Sequence, residues 1–532
     1  MKSYWRIGEP CVWATGAALA LTLLIAATLI IVVMVNGLGV FWPSNLEKVE
    51  FVDGSYAMGE RVQREENYQA EGFRRQYKVG NREMYGLDFR WVDETRIVAT
   101  TLPDDAIALE REEHGNFFGY LLRLDLKNLQ AGQSDDPYQT LLNGFALVEE
   151  MKDAVHAMDG EISKLSYKLE TLRRNLLKAD YQGLSPNDPK VLEMQRKQAI
   201  LQDDFKHLVE AQNHQTVSMR AYKAVFADVN GQEREIALAD MVRIYQPNRM
   251  SLMEKVGFYL GKLVELIIGE PRESNTEGGL FPAIFGTIML IFIMSLFSFP
   301  LGVIAAVYLR EYAREGVIVR LVRIAVNNLA GIPSIVYGIF GLGFFIYGIG
   351  STIDQFFFPE VLPTPTFGTG GILWASLTLA LLTVPVVIVS TEEALGAIPR
   401  EIREGSLALG STKFQTLVRI LLPMSSPGIM TGLILAMARA AGEVAPLMIT
   451  GVVKLAPALP LDGNFPFLHL DRKFMHLGFH IFDIGFQSPN VEAAKPMVFV
   501  TTLLLVLIVL TMSSIAIHLR NKMKKRYTFS TF

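Results

Sequence analysis

The chain has 532 residues, of which 50% are hydrophobic and 20% are charged. This composition is too apolar for a soluble multidomain enzyme and too charged for a membrane bundle alone, so it predicts both membrane-spanning and water-exposed parts. The formal net charge of −4 gives no indication of nucleic-acid binding, and the single cysteine, Cys11, excludes an intrachain disulfide and a cysteine metal site.

Six apolar stretches are long enough to cross about 30 Å of hydrocarbon, which takes roughly 20 helical residues. They lie near 13–36, 281–308, 324–348, 371–390, 427–451 and 496–519. The first follows Lys2 and Arg6, as a signal peptide would, but its apolar run is too long and no small-residue cleavage site follows it. We therefore predict a retained membrane anchor within residues 1–43.

The basic residues of the short loops predict the orientation of the spans. They are concentrated after span two, after span four and in the tail 520–532, whereas the loop 351–370 has no Lys or Arg. The positive-inside rule therefore predicts cytoplasmic termini and an external segment at 44–275. The last external loop fits this rule less cleanly, because it carries Lys454, Arg472, Lys473 and Lys495.

The strand-like and helical patterns of residues 44–275 predict an inserted α+β domain. Its strand-like runs include 71–79 and 87–92, each bounded by turn residues. From Val148 to Ala179 the apolar residues alternate spacings of three and four, and a Gly- and Pro-rich turn then precedes a second helical stretch. This pattern predicts an antiparallel coiled-coil hairpin at about 140–216, with a structural or docking role and no chemistry.

Two further elements are predicted after the hairpin. The runs 222–229 and 235–238 flank Asn230 and Gly231, which favours a β-hairpin with an Asn-Gly turn. Residues 250–268 have the pattern of an amphipathic helix that leads into span two.

The charged segment 404–423 has the letters E-G-S-L-A-L-G, nine residues, and I-L-L-P. Pro399 suits the first turn of a helix, Gly410 suits a left-handed C-terminal cap, and Thr412 with Gln415 is typical of a capping box. We predict two short helices at an elbow, which can dock in a groove of a partner.

Arg439 and Glu443 lie four residues apart in the otherwise apolar span five. Charges at membrane depth cost about 2.5–3.5 kcal/mol each on insertion scales, so they usually face the bundle interior. They share an arc with the small residues Gly428, Gly432, Ala436 and Ala440. The pair is interpreted either as a substrate-pathway element or as an ion pair that fixes helix packing.

Span three contains Pro333, Ser334 and Tyr337 within a run of small and hydroxyl residues. Proline frees backbone groups, which at membrane depth must face protein or a water-filled cavity. The run therefore predicts either a packing kink or part of a binding site.

These motifs resemble those of type I ABC importer permeases. The coupling loop of that family has the consensus E-A-A, three residues, G, nine residues, I-x-L-P, and Glu404, Gly410, Ile420, Leu422 and Pro423 fall at its spacing, with Gly405 and Ser406 in place of the two alanines. The strings L-A-G-I-P-S-I-V-Y-G at 329–338 and A-R-A-A-G-E at 438–443 are similar to those of the A-type permease of phosphate importers. The resemblance covers about 281–519 and leaves out the insert, which compact members lack.

The resemblance implies a six-helix permease in the bacterial inner membrane that imports phosphate by alternating access. Its implied partners are a second permease subunit, two copies of an ATPase, a periplasmic phosphate-binding protein and membrane lipid, but no nucleic acid. The ATPase-coupling residues it implies are Glu404, Gly405, Ser406, Gly410, Ile420, Leu422 and Pro423. The substrate pathway is assigned to Arg439, Glu443, Pro333, Ser334 and Tyr337.

No catalytic or cofactor site is predicted. The sequence has no G-x-x-x-x-G-K-[ST] loop, so ATP and Mg²⁺ are expected on the separate ATPase. His469, His476 and His480 have no H-E-x-x-H arrangement, so we expect surface or interface histidines rather than a metal site. The alternatives to phosphate import are import of sulfate, molybdate or phosphonate, and a transport-dead mechanotransmission or sensor protein that acts through the external coiled coil.

Overall fold

The computed structural model describes residues 9–67, 72–126, 136–488 and 491–527. The chain divides into two compact units. The membrane unit comprises Met1–Val40, Leu280–Phe358 and Pro363–Phe532, and the insert unit comprises Phe41–Gly279 and Pro359–Leu362.

The insert unit contains two five-stranded antiparallel sheets, with strand orders β4-β3-β2-β1-β5 and β10-β6-β7-β8-β9. Their strands are β1 Leu46–Phe51, β2 Tyr56–Glu66, β3 Phe73–Lys78, β4 Phe89–Asp93, β5 Ile97–Thr101, β6 Ile107–Arg111, β7 Phe117–Asp125, β8 Lys223–Ala227, β9 Glu233–Ala237 and β10 Met241–Tyr245. A two-residue pair, β11 Pro271–Arg272 and β12 Glu277–Gly278, follows them. The helices of this unit are α2 Arg82–Tyr85, α3 Pro137–Tyr181, α4 Pro189–Arg220 and α5 Leu252–Ile268. The strands predicted at 71–79 and 87–92 correspond to β3 and β4.

One edge of the first sheet is held by a charged cluster. Glu94 receives a bidentate pair of hydrogen bonds from Arg64 at 2.8 Å each and a third from Arg75 at 2.5 Å. The hydrogen bonds from Arg64, followed by those from Arg75, lower the pKa of Glu94 to about 2.

The predicted helical hairpin is formed by α3 and α4, which pack together along their length. Asp136 and Asp188 cap the two helices, each followed by a proline in the first turn, and Gly183 takes φ +73° in the turn between them. Gln212 of α4 donates to Asp159 of α3, which fixes an antiparallel register. The coiled-coil character itself stays a prediction.

The base of the hairpin belongs to the core of the second sheet. Leu141 and Val148 of α3 and Met219 of α4 are buried with Ile107 and Phe226 in one apolar cluster. The sequence pattern did not reveal this, since the same heptad positions would suit a free coiled coil. At 1.5 Å per residue, the part of α3 beyond Val155 extends about 39 Å from the sheet.

The predicted β-hairpin forms between β8 and β9, but its turn is longer than two residues. The loop runs over 228–232, with Gly231 at φ +81°. The Asp228 carboxylate accepts from the backbone N–H groups of Asn230 at 2.9 Å and Gln232 at 2.7 Å, which closes a wider loop than the predicted Asn-Gly turn.

The membrane unit has six helices that are long and apolar enough to cross a membrane, counted over the described ranges. Spans one to six are Cys11–Gly39, Phe281–Tyr312, Ser334–Phe357, Ile372–Gly396, Lys413–Gly442 and Val491–Lys525. Their α-helices are α1 Glu9–Gly39, α6 Phe281–Val307, α8 Ser334–Phe340, α9 Ser351–Phe357, α10 Ile372–Gly396, α13 Leu422–Gly442 and α16 Val491–Tyr527. Span five begins with α12 Lys413–Thr416, and between and beside the spans lie α7 Val317–Leu329, α11 Arg400–Ala408, α14 Ala445–Thr450 and α15 Leu477–Phe482.

Spans three and five differ from their predicted bounds. The predicted 324–348 includes the end of α7, a break and only part of the span, because Pro333 lacks an N–H and disfavours helix at the residue before it. The predicted 427–451 joins two helices, since α13 ends at Gly442 and α14 begins at Ala445.

Span four is the packing centre of this unit, where α10 contacts both α6 and α13. The close approaches occur at glycines: a Cβ added to Gly302 would lie 2.6 Å from Val387, one added to Gly428 would lie 2.5 Å from the Cβ of Ala394, and one added to Gly432 would lie 2.7 Å from the Cβ of Ser390. The small-residue face predicted on span five is therefore the face that packs on span four.

Candidate functional site

The first part of the candidate site is the break before span three. α7 ends at Leu329, the backbone turns through Gly331 and Ile332, and Pro333 is the N-cap residue of α8. The hydroxyl of Tyr337 donates to the Leu329 carbonyl at 2.7 Å, and the Ile332 N–H donates to the same carbonyl at 3.2 Å, so both bonds hold the end of α7. Tyr337 is buried, Ser334 is partly exposed and Pro333 is exposed.

The second part is the break after span five. Glu443 has extended backbone angles, φ −82° and ψ 126°, and therefore lies outside α13 rather than within the helix as predicted. Its N–H still bonds to the Ala440 carbonyl at 3.3 Å, and Pro446 lies in the first turn of α14. The helix is thus interrupted at the pair that the sequence placed inside it.

The helices that follow the two breaks pack against each other. A Cβ added to Gly338 of α8 would lie 2.8 Å from the Cα of Pro446 in α14, so the two backbones approach closely there. Tyr337, Ala440 and Leu447 are buried in the same apolar cluster. The structure therefore brings the predicted pathway residues of spans three and five to one region of the membrane unit.

Arg439 is the cation of this region. Its Nε lies 3.6 Å from Oε1 of Glu443, and the side chains of Arg439 and Glu443 are 32% and 21% exposed. That separation is an ion pair without a hydrogen bond. Within the described ranges the guanidinium has no other ion pair, so its N–H donors remain available to an oxyanion.

The second candidate site is the elbow between spans four and five. α11 ends in a Schellman motif: the Gly410 N–H bonds to the Leu407 carbonyl at 3.0 Å, and the Ser411 N–H bonds to the Ser406 carbonyl at 3.2 Å. Gly410 has φ +86°, as predicted for a left-handed cap. The elbow turns at Leu409–Ser411.

The next helix opens with the predicted capping box. The Thr412 hydroxyl accepts from the Gln415 N–H at 3.2 Å, and the Gln415 side chain accepts from the Thr412 N–H at 2.9 Å. The hydroxyls of Ser406 and Thr416, both buried, lie 2.8 Å apart and join the two sides of the elbow. Ser406 therefore has a defined structural contact that alanine would not make.

The second helix of the elbow is not short, which corrects the prediction. α12 continues through a π-helical turn, Leu417–Leu421, directly into α13. Ile420, Leu422 and Pro423 therefore lie in the first part of span five, and Pro423 occupies the first turn of α13. Glu404 and Gly405 remain exposed on α11.

Two arginines outside the predicted site residues tie connecting helices to the spans: Arg403 ties α11 of the elbow, and Arg323 ties α7. Arg403 donates to the Leu395 carbonyl at 2.5 Å, to the Ile398 carbonyl at 3.2 Å and to Glu311 at the end of span two at 3.2 Å. Arg323 lies 3.4 Å from Glu392 of span four. Their positions in basic loops were used only for orientation, and nothing in the local pattern distinguishes them from their neighbours.

The outer face of the elbow exposes large apolar side chains. Leu409 is 90% exposed and Phe414 is 65% exposed, and Leu407 and Val418 are also exposed. An apolar cluster beside charged residues is typical of a protein-docking surface.

The three candidate histidines are buried within this chain, which corrects the expected surface or interface positions. His469 contacts Asp462 at 3.0 Å, His480 contacts Thr501 at 3.2 Å, and the Nδ1 of His476 accepts from the Gly478 N–H at 3.1 Å. His476 precedes α15 with extended backbone, so it does not share a helix face with His480. Over the part of the chain that the structure describes, no group of three or more His, Cys, Asp or Glu could hold a metal ion.

The Asp462 carboxylate also anchors Arg472, at 2.6 Å. Burial alone would raise the pKa of Asp462, but hydrogen bonds from the Asn464 backbone, Arg472 and His469 outweigh it and hold the pKa at about 2. These side chains organise the loop between spans five and six.

Comparison with known proteins matches residues 298–525 to the family described as binding-protein-dependent transport system inner membrane component. The phosphate transport system permease protein PstA of Mycobacterium leprae is 37% identical over 36% of this chain and 58% of that protein. The probable phosphate transport system permease protein PstA of Methanocaldococcus jannaschii is 35% identical over 36% of this chain and 63% of that protein. The chain thus spans less than two thirds of either relative.

The probable ABC transporter permease protein YqgI of Bacillus subtilis is 33% identical over 41% of this chain and 70% of that protein. A solved structure of the methionine ABC transporter MetNI is 19% identical, covers 46% of this chain and 95% of that chain, and has a TM-score of 0.34. The six spans and the elbow between the fourth and fifth of them define a polytopic helical membrane protein. The chain belongs to the family of binding-protein-dependent transport system inner membrane components, the ABC transporter permeases.

Proposed function

We propose that this chain is a permease subunit of an ATP-driven phosphate importer and forms half of the translocation pathway. The proposal is supported by the permease family, by relatives that are phosphate transport system permease proteins, and by the helix breaks that meet beside Arg439. The chain itself forms part of the translocation pathway and catalyses no reaction. ATP hydrolysis resides in a separate ATPase subunit.

The single observation that carries the pathway is the Arg439 guanidinium. It is one-third exposed at the end of span five and holds Glu443 at 3.6 Å, too far for a hydrogen bond. An ion pair that served only to fix packing would be expected at hydrogen-bonding distance and more deeply buried. A planar guanidinium with unused donors suits a tetrahedral oxyanion, which accepts two parallel hydrogen bonds. Ser334 and Tyr337 lie in α8, directly after the break at Pro333, and both side chains carry a hydroxyl group.

The elbow is the proposed contact with the ATPase. Glu404, Gly405 and Gly410 are exposed, and the apolar residues Leu409 and Phe414 stand beside them. Ser406 braces the elbow, and Ile420, Leu422 and Pro423 carry its movement into span five because they belong to the same continuous helix. Movement of the ATPases thus reaches the Arg439 region through a single helix.

The proposed assembly contains a second permease subunit, an ATPase dimer and a periplasmic phosphate-binding protein. In this arrangement the termini are cytoplasmic, residues 44–275 are extracytoplasmic, and α3 with α4 forms an antiparallel coiled coil. Sulfate, molybdate or phosphonate as substrate, and a transport-dead sensor, are the competing functions.

Uptake of radiolabelled phosphate by a strain that lacks its own phosphate permease tests the function. Phosphate uptake restored by this chain, and not competed by sulfate or molybdate, is the expected result. Arg439→Lys keeps the charge but loses the paired donors, and loss of one charge-assisted hydrogen bond of about 1.5 kcal/mol should lower uptake efficiency about tenfold.

The matched control is Arg314→Lys, the same substitution at an exposed arginine between spans two and three. It should leave uptake unchanged. Wild-type uptake in both Arg439→Lys and Arg439→Ala would contradict the pathway role and favour the packing ion pair. No uptake of any oxyanion by a correctly assembled complex would favour the sensor.

The orientation can be tested with the single cysteine. In a Cys11→Ser background, a cysteine at Ser185 in the hairpin turn should react with a membrane-impermeant maleimide in intact spheroplasts. A cysteine at Glu404 on the elbow should react only after lysis. The opposite pattern would reverse the proposed topology.

A further inference from the structure

The helix α5, Leu252–Ile268, carries an apolar face that the insert unit does not cover. The exposed residues of this face are Leu252, Met253, Val256, Leu260, Val264, Ile267 and Ile268, with exposed fractions from 38% to 82%. At about 100° per residue they occupy an arc of about 160°. The other residues within that arc are Gly257 and Leu263, so no charged residue interrupts it.

The opposite face of α5 is fixed to the β-sheets. Lys262 and Arg243 both reach Glu110, and Glu265 pairs with Arg243 at 3.2 Å. Phe258 packs on Tyr245 with ring centroids 4.6 Å apart. The helix is therefore held with its charged side inward and its apolar side outward, the reverse of a helix that faces water.

The C-terminal end of α5 lies beside Gly279, the last residue of the insert unit before span two. The connection 269–279 folds back on itself through the pair β11 and β12, and the Gly279 N–H bonds to the Glu270 carbonyl at 2.8 Å. A Cβ added to Gly279 would lie 2.2 Å from the Gly269 carbonyl oxygen. Phe281, two residues after Gly279, begins span two, so the chain passes from this contact into the span within two residues.

The N-terminal half of α5 is tied to the segment that leaves span one. Trp42, three residues beyond Gly39, packs on Tyr259 with ring centroids 6.0 Å apart. Lys255 donates to Asn45 at 2.6 Å. Tryptophan and tyrosine are enriched at the membrane–water interface, so this contact fits that depth.

We propose that α5 is an interfacial membrane helix whose apolar face, Leu252 to Ile268, is embedded in the outer leaflet and holds the insert domain on the lipid surface. Both ends of the helix are tied to chain segments that emerge from the membrane, and an uncharged apolar arc of this width needs an apolar solvent. Because the chain segments at both ends of α5 enter the bilayer, the bilayer is the apolar solvent that covers this face.

Depth measurements on the assembled transporter in phospholipid vesicles test this inference. In a Cys11→Ser background, spin labels are placed singly at Leu260 and Val264, which are exposed and take no part in the domain core. We expect strong relaxation by oxygen, weak relaxation by a water-soluble nickel chelate, and a depth of about 5–10 Å below the head groups. The matched control is Val98 on β5, also exposed and apolar, where the nickel chelate should dominate.

Equal nickel accessibility at Leu260, Val264 and Val98 would overturn the proposal, because the face would then lie in water. Protection from both oxygen and nickel would also overturn it, since a protein partner would then cover the face. Leu260→Trp gives an independent readout against the five native tryptophans: brominated lipid should quench the fluorescence that Leu260→Trp adds to the parent, whereas the fluorescence that Val98→Trp adds should be unaffected. These results do not depend on phosphate uptake, so they stand or fall separately from the proposed function.

Discussion

Replacing Gly410 by valine should misplace the elbow without disturbing the spans. Gly410 has φ +86°, and a Cβ added there would meet no described atom within 4 Å, so the cost is conformational rather than steric. A β-branched residue with left-handed backbone costs about 1–2 kcal/mol, and loss of one Schellman hydrogen bond adds about 1 kcal/mol. A total of about 2–3 kcal/mol would reduce the population of the native elbow about 30- to 150-fold.

The assay is co-purification of the ATPase with the permease, together with phosphate uptake and the amount of permease in the membrane. We expect ATPase association and uptake to fall in Gly410→Val while membrane insertion is unchanged. Gly410→Asn should be intermediate, because asparagine tolerates left-handed backbone better than valine does.

The matched control is Gly405→Ala, five residues earlier on α11. This glycine is helical, and a Cβ added to it would also have no described atom within 4 Å. Alanine there should stabilise the helix by about 0.5–1 kcal/mol and preserve association. Normal co-purification and uptake for Gly410→Val would refute the assignment of the elbow as the coupling contact.

Gly432→Leu should prevent spans four and five from packing and should deplete folded permease from the membrane. Gly343→Ala should be tolerated, because its added Cβ has no described neighbour within 4 Å. Equal amounts of the two variants in a detergent-extraction assay would contradict this. Replacing residues 159–212 by a Gly/Ser linker should leave the insert domain protease-resistant and retain partial phosphate uptake. Leu141→Ala should instead destabilise that domain by about 2–5 kcal/mol, because Leu141 is fully buried in the sheet core, and equal protease resistance would refute this. The pKa of Glu94 is about 2 in the fold and 4.5 when unperturbed, so its stabilisation is complete above pH 4.5 and is lost as the pH falls towards 2. The melting temperature of Glu94→Gln should therefore lie below that of the parent at neutral pH and converge with it on acidification.

The sequence predicts the helical hairpin but not the core that its base joins. The heptad pattern predicts a hairpin over about 140–216, and removal of that whole stretch would take away Leu141 and Val148. In the structure these side chains fill the second sheet's core, together with β-strand residues far away in the chain. A periodic pattern identifies the apolar face of a helix but not what covers it.

Local chemistry determined much of this protein from the sequence alone. The existence of the six spans depends on the length and apolarity of single segments, and the elbow depends on Gly410, Thr412 and Gln415 within a few residues of one another. These features need no distant partner, so the predicted cap and capping box are present as expected.

Tertiary structure alone decided where the spans break and which polar groups meet. Glu443 leaves the helix because α14 turns to pack on α8, and Tyr337 closes the end of α7 across a break. The burial of His476 and His480 and the contacts of Arg403 likewise depend on segments distant in sequence. Spacing along one chain fixes the face on which a residue lies, whereas its partner is fixed by the packing of other elements against that face.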